Sequence, residues 1–548
     1  MAITVRRRLA DYVASAEAPQ VTHREAPEAR WIGLGALVLS ISAGAYLTLG
    51  LHYMSYDAVA RVAHAFFVLW SRDPHLGAIG FVWTPLSSIL ALPLVALYPL
   101  WPALVRDGLA GIPVSALFLA AGAYYLSRLL ARFGMPLGWR VIITSAYALN
   151  PLILLYGANG MTDVMMSTCV IATYFNIYEF LRRDSLRALM AAALWLVVGL
   201  GVRYEALPFG IMVTLGLAIS QAMTGVPWVK IRGTAILLLS PLAASGALWL
   251  YFNWLIMKNP LYFLDGTYSN IALTSLSAYE ERIRLHEMHH ILRSLWYVTR
   301  FTLLYWPIDV AILVGIALLV WRRSDRFLPV LFGGIIGPLL LDLDLLYKGN
   351  LAPWDRYFIY YIPSGLVLVS YLGGCAARHW VRDGRYHLSW LVATLFVVAG
   401  SVGTYFALQS PKLGNPDGQA IRSAIHAQQM NPFTPGNLAL IRYVNAHPHM
   451  LILADDFTTG VPVVIQVNNP QQFIITSDYD YKSILLNPRG RVSAFLVPQP
   501  VNANNLVDID RDYPGMWYGK VPWAHFIAQF NDVWGTTYRL YAIGPTAP

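Results

Sequence analysis

Apolar stretches of about twenty residues recur along most of the chain, with short polar loops between them. They fall at about 31–51, 109–130, 139–156, 163–181, 186–202, 205–222, 233–257, 296–320, 327–346, 357–377 and 388–408. That length is what an α-helix needs to cross a bilayer, so the pattern predicts a polytopic α-helical membrane protein with about eleven transmembrane helices. A further apolar segment, 81–100, is interrupted by Pro85, Pro93 and Pro99. Each proline removes a backbone donor that hydrocarbon cannot replace. The segment is therefore expected to lie at the outer surface or to re-enter; the alternative is a proline-kinked twelfth span.

Basic residues sort the loops into two sets. Arg128/Arg132/Arg140, Arg182/Arg183/Arg187, Lys230/Arg232, Arg322/Arg323/Arg326 and Arg378/Arg382/Arg385 occupy alternate short loops, which the positive-inside rule makes cytoplasmic. The polar N-terminus with Arg6-Arg7-Arg8 joins them, provided that 81–100 does not cross. It lacks an apolar core and reads as a cytoplasmic tail, 1–30, rather than a cleaved signal peptide. The membrane domain is then 31–408, with large outer loops at 52–108 and 258–295.

Beyond about 409 the pattern turns polar, and Pro411, Pro416, Pro432 and Pro435 mark a linker. From Asn437 short apolar runs alternate with helical patterns. Residues 451–454, 473–476, 494–497 and 539–542 read as strands, so 409–548 is expected to be an extracytoplasmic α/β domain. Asp455-Asp456 ends the first of these strands, where open α/β sheets often bind ligands. No glycine-rich phosphate loop accompanies the pair, and a capping or turn role is the favoured reading.

Composition agrees with a membrane location. The chain is 57% hydrophobic and 13% charged, about half the charge of a soluble protein. Its formal net charge of +9 lies in short loops, so no nucleic-acid partner is indicated. Cys169 and Cys375 fall inside predicted spans and read as small apolar fillers. Alanine- and proline-rich usage points to a high-GC bacterium and hence to its inner (plasma) membrane.

Asp57 stands just beyond the first span, and an acidic group at the face of a many-span protein is costly and usually has a task. It could also cap the following surface helix, paired with Arg61 one turn on. Other polar groups expected near a cavity at this face are Asp73, His75, Asp163, Arg203, Glu205, Lys348 and Arg356, with Asp342 and Asp344. The last two are spaced two apart on a helix, so at most one points into the bundle. His286 and His290 have the i, i+4 spacing of a metal pair but no third ligand, and a solvated face is the favoured reading.

The order of these parts resembles the GT-C class of integral-membrane glycosyltransferases, particularly the branch of protein O-mannosyltransferases and aminoarabinose transferases. The likeness covers about residues 31–380. Asp57 falls where that family keeps its catalytic acid, and Trp83-Thr84-Pro85-Leu86 is similar to its Pro-Pro-Leu stretch, which opens a non-crossing helix. The turn ending at Asp163 resembles its Asp-bearing outer turn. Arg203-Tyr204-Glu205 falls at its basic position, and Trp354-Asp355-Arg356-Tyr357-Phe358 is similar to its late Arg-Tyr signature. Many mannosyltransferases have an acidic pair where this chain has Asp57-Ala58, and His where it has Thr84, so the sugar does not carry over.

The resemblance implies an inverting enzyme that moves a sugar from a polyprenyl-phosphate donor to an acceptor hydroxyl at the outer face. The acceptor would be a cell-envelope glycan, a glycolipid or a protein. Asp57 would take the acceptor proton, a contribution worth about 10²–10⁴ in rate. Arg203, Arg356 and Lys348 would hold the lipid phosphate, as cations suited to a leaving group's charge. Arg61, Asp73, His75, Asp163 and Glu205 are further cavity candidates. Some relatives use divalent metals, so a divalent metal ion is a possible cofactor. A transporter or flippase of a lipid-linked substrate would more often show internal repeats or paired broken spans. A non-catalytic scaffold would not require Asp57 or the arginines.

Overall fold

The computed structural model describes residues 26–544 except 270, 273–284, 304–305, 322–324, 352–354, 381–385, 410–421, 423–434, 457–459 and 533–535. Outside the described residues lie Arg6-Arg7-Arg8, Arg322/Arg323, Trp354, Arg382/Arg385 and the linker prolines Pro411, Pro416 and Pro432.

The protein is a polytopic helical bundle with a small sheet-containing domain at its C-terminal end. Among the described residues eight helices are long and apolar enough to cross a membrane, or nine if one bent pair is a single span. In chain order the first helices are α1 (Ala29–Ala45, continued by a π-turn at Tyr46–Gly50), α2 (Tyr56–Trp70), α3 (Leu86–Val95) and α4 (Gly111–Arg132). The bent pair follows as α5 (Leu137–Ala148) and α6 (Pro151–Ala158). Next come α7 (Asp163–Arg183), α8 (Leu186–Val202), α9 (Ala206–Met223) and α10 (Trp228–Met257). The bundle closes with α11 (Ile291–Leu303), α12 (Trp306–Trp321), α13 (Leu328–Lys348), α14 (Tyr361–Trp380) and α15 (Tyr386–Gln409).

Local chemistry explains where these helices break. The chain turns by 65° between α5 and α6. There the Asn150 side chain accepts from the amides of Leu152 and Ile153, and Pro151 takes the first helical position, where a missing N–H costs nothing. The segment 81–100 yields only α3, of ten residues, which rises about 15 Å and is too short to cross alone. Pro85 precedes it and Pro93 lies within it.

Within the expected span 296–320, the described residues on either side of 304–305 are the end of α11 and most of α12. In α11, Leu292, Leu295 and Trp296 are exposed on one face while Ser294, Tyr297 and Val298 are buried, the pattern of a helix lying along an interface. At the centre of the bundle is α7, buried on every side from Asp163 to Phe180.

The C-terminal domain holds a five-stranded sheet of order β2-β1-β3-β5-β4. Its strands are β1 (Ile452–Ala454), β2 (Phe473–Ile474), β3 (Ala494–Pro498), β4 (Ala524–Phe530) and β5 (Tyr538–Ile543). β1, β2 and β3 are parallel, while β5 runs antiparallel to both β3 and β4. The sequence pattern misses β4: only its two end residues are buried, and a bulge at Phe526/Ala528 breaks its alternation. The domain docks on one end of the bundle. Arg72 at the end of α2 binds Asp478 at 3.0 Å and also Asp480, and Arg106 donates to the Val467 carbonyl at 3.1 Å.

Asp455 and Asp456, at the end of β1, are both buried and hydrogen-bonded within the protein. Tyr268, from the loop after α10, donates to Asp455, and Thr476 donates to Asp456 from its backbone and hydroxyl. Burial raises the Asp456 carboxyl to about 7, with Asp455 adding to the effect against the Thr476 hydrogen bonds. The folded domain therefore keeps a proton that the unfolded chain, with its carboxyl near 3.8, releases. Its stabilising effect is present at low pH and is lost as pH rises from about 4 to about 7. The melting temperature of the purified protein should fall between about pH 4 and about pH 7, reflecting a loss of at most a few kcal/mol. Asp456→Asn should flatten that slope, as thermal unfolding followed at several pH values would reveal.

Candidate active site

The N-terminal half of α2 carries the site. Ser55 is extended and α2 begins at Tyr56, which puts Asp57 in the first turn, where a helix dipole favours an anion. Asp57, Arg61 and His64 are spaced i, i+4 and i+7 on one face, while Ala58, Val59, Val62, Ala63 and Phe66 are buried on the others. The Asp57 carboxylate caps no backbone amide. It accepts instead from Arg356 Nη2 at 2.7 Å, across 299 residues of chain. Among the described residues Arg356 is its one hydrogen-bond donor, and the Asp57 side chain stays 27% exposed. One oxygen is thus open to a substrate hydroxyl.

Arg356 lies on the single 3-10 turn Asp355–Phe358 between α13 and α14 and is buried. Its guanidinium and that of Arg203 both lie 5.5 Å from the centre of the Tyr357 ring. Arg203, just past α8, binds Asp163 Oδ1 at 2.6 Å through Nη1 and Glu205 Oε1 at 2.5 Å through Nη2. Asp163 reaches that position because the preceding turn is stitched to the bundle. Ser40 and Ser115 donate to the Gly157 carbonyl at 2.7 and 2.6 Å, and Ser115 accepts from the Gly160 amide at 3.0 Å. Gly160 has φ of 84°, and a Cβ there would meet the Gly111 backbone at 3.1 Å, so only glycine fits.

Three carboxylates, Asp57, Asp163 and Glu205, thus meet three guanidiniums, Arg61, Arg203 and Arg356. The pairing is uneven. Arg203 gives its fork to two carboxylates. Arg61 makes no ion pair: its Nη1 donates weakly to Ser87 at 3.3 Å, its guanidinium covers the Trp83 ring at 4.8 Å, and its buried Nε has no partner. Burial pulls Arg61 down to about 10, with Asp57 and Asp163 acting against it and Arg203 and Arg356 with it. At neutral pH it is still a cation, part-buried and, among the described residues, without an ion pair. Burial, and then Arg61, pulls His64 down to about 4, so it is neutral at that pH. Its ring packs against Gly80 at a point where a Cβ would be 3.2 Å away.

Asp57, Arg61, Asp163, Arg203, Glu205 and Arg356 therefore come together. Asp342 lies beneath them, 1% exposed, and accepts from the Tyr360 hydroxyl. Three expected site residues do not join the cluster. Lys348 sits in the last turn of α13 and pairs at 2.7 Å with Asp344 one turn back, both more than half exposed. Asp73 accepts from the Tyr479 amide at 3.0 Å, and the His75 ring lies 4.0 Å from the Tyr479 ring, so both serve the docking of the C-terminal domain. Their place follows from α2, which carries the chain to the far end of that helix before they occur. His64 and Ser87 are site residues that sequence reasoning did not single out, and Tyr357 entered it only as part of the Arg-Tyr signature. The helical spacing from Asp57 would have found the first.

Among the described residues no three His, Cys, Asp or Glu side chains converge as a metal ion would require. His286 bonds Glu287 at 2.8 Å. The cluster's own carboxylates are bonded to arginines, an arrangement that does not fit a divalent ion.

No family model matches the sequence, and no curated protein matches it significantly. Solved structures do share the fold. ArnT from Cupriavidus metallidurans bound to undecaprenyl phosphate aligns with a TM-score of 0.53 at 11% identity, covering 93% of this chain and 97% of that one. The apo state of the same protein aligns over the same shares at 11% identity, with a TM-score of 0.48. At the level of fold, the resemblance to GT-C enzymes drawn from the sequence is borne out.

Removing Arg203 would leave Asp163 and Glu205 buried together without their cation. Arg203→Ala should destabilise the protein by roughly 3–5 kcal/mol, while Arg61→Ala should stay within about 1 kcal/mol of wild type or gain stability. Thermal unfolding of the two variants side by side checks this split.

Proposed function

We propose that the protein is a glycosyltransferase that moves a sugar from a polyprenyl-phosphate donor to an acceptor hydroxyl, with Asp57 as general base. The observation that carries this reading is the partly exposed Asp57 carboxylate set near two guanidiniums, Arg356, which it binds, and Arg61, which has no ion pair among the described residues. The fold shared with ArnT, whose structure holds undecaprenyl phosphate, supports the choice of donor class.

In the proposed step the acceptor O–H donates to the open oxygen of Asp57 while the acceptor oxygen attacks the anomeric carbon. The bond from that carbon to the phosphate oxygen breaks, and its electron pair stays on the lipid phosphate. Attack opposite the leaving group inverts the anomeric centre. Arg61 and Arg356 meet the charge that gathers on the phosphate, using the planar, multi-donor geometry of guanidinium. Arg203, saturated by Asp163 and Glu205, positions the site rather than binding the donor. The Tyr357 ring lies within cation–π distance of both Arg203 and Arg356.

The arginine-bearing ends of α4 and α7 lie at the other end of the bundle from Asp163, and by the positive-inside rule that end is cytoplasmic. The reaction then takes place at the outer face of the bacterial inner membrane, beneath the docked C-terminal domain. The acceptor is a cell-envelope glycan, a glycolipid or a protein.

Release of polyprenyl phosphate from a polyprenyl-phosphate sugar by the purified protein tests the reading. Asp57→Asn should lower turnover by about 10²–10⁴ without loss of thermal stability. Wild-type turnover in that variant would overturn the assignment. Arg61→Gln should raise the donor KM by roughly 10–100-fold, the loss expected for one charge-assisted hydrogen bond. An unchanged donor KM would remove Arg61 from the phosphate site.

A further inference from the structure

The far end of the bundle holds a charged cavity that the proposed reaction does not use. It has a volume of about 710 Å³ and lies between the C-terminal turns of α4 and α7 and the first turn of α8. Arg128, Arg132, Arg183 and Arg187 line it, with Glu179 as its one carboxylate, so its lining carries a net charge of +3. Glu179 is taken by Arg132 at 2.6 Å and Arg183 at 3.3 Å. Arg128 lies over the Phe175 ring at 4.8 Å and donates to the Tyr124 hydroxyl at 2.9 Å. Among the described residues neither Arg128 nor Arg187 is in an ion pair.

Like charges gathered in a concave, partly apolar site repel one another more than they would on an open surface. A phosphate relieves that repulsion and accepts from several guanidiniums at once. The volume suits a headgroup rather than a bare ion. Below the mouth, Leu186, Met190 and Leu194 are exposed at i, i+4 and i+8 on α8, forming an apolar track from Arg187 toward the middle of the span. Along α7 the cavity's Phe175 and Glu179 stand about 18 and 24 Å from Asp163, too far to share a ligand headgroup with the Asp57 site.

We propose that this cavity binds the phosphate headgroup of an anionic lipid in the leaflet opposite the Asp57 site, with Arg128 and Arg187 as its primary ligands and an acyl chain along the Leu186–Met190–Leu194 track. Basic pockets between spans commonly serve this purpose. The inference does not depend on any chemistry at Asp57.

The test uses full-length protein in phosphatidylcholine bilayers, titrated with fluorescent phosphatidylglycerol and, separately, with inorganic phosphate as competitor. The variants are Arg128→Gln/Arg187→Gln, the single Arg187→Gln at an exposed position in case the double variant misfolds, and Arg232→Gln as a control on an exposed arginine at the same end. The expected result is a phosphatidylglycerol affinity at least tenfold weaker in the double variant and weaker in the single one, with Arg232→Gln like wild type. Indifference to millimolar phosphate assigns the site to lipid; full competition by phosphate supports the same arginine site but makes soluble phosphate its source. Equal affinity in wild type and both cavity variants overturns the proposal, as does an equal loss in Arg232→Gln.

Discussion

The ion pair between Asp57 and Arg356 is the contact on which the rest of the site depends. It ties α2 to a turn 299 residues later and so closes the bundle around a single charged centre. Neither partner could be buried alone, since an isolated ion in such a setting costs several kcal/mol. Bringing three carboxylates and three guanidiniums together resolves that cost for the group. The neutrality is global, however, not pairwise: Arg203 holds two carboxylates and Arg61 holds none. That imbalance leaves Arg61 without an ion pair among the described residues, while the three carboxylates and three guanidiniums sum to zero charge.

Much of this was legible along the chain, because the features concerned are local. Twenty-residue apolar runs report spans, prolines report their interruptions, and a carboxylate just past a span reports a cost that needs a reason. Asp342 and Asp344 show how far periodicity reaches: two residues apart on a helix, one is buried against Tyr360 and the other exposed with Lys348. What failed was inference from nearness in sequence. Asp73 and His75 follow Asp57 closely, yet the fifteen residues of α2 carry them about 22 Å away. Lys348 sits at the proper end of its span but has a carboxylate one turn below, which captures it. The partner of Arg356 could not be read from its neighbour Asp355, because the competing carboxylate arrives from the other end of the chain.

The two ends of the bundle use arginine in opposite ways. Near Asp57 guanidiniums are buried and counted against carboxylates, so each one is constrained by its partners. At the far end they crowd a cavity with a single glutamate, and the excess charge is left for the surroundings to answer. The helices α7 and α8 join these two regimes, Asp163 and Arg203 at one end and Arg183 and Arg187 at the other.

One helix also links the C-terminal domain to the proposed base. α2 begins at the carboxylate and ends at Arg72, the residue gripped by Asp478 and Asp480. The sheet domain is therefore no detachable accessory. Any change that loosened the grip on Arg72 would act on the same helix that presents the Asp57 carboxylate.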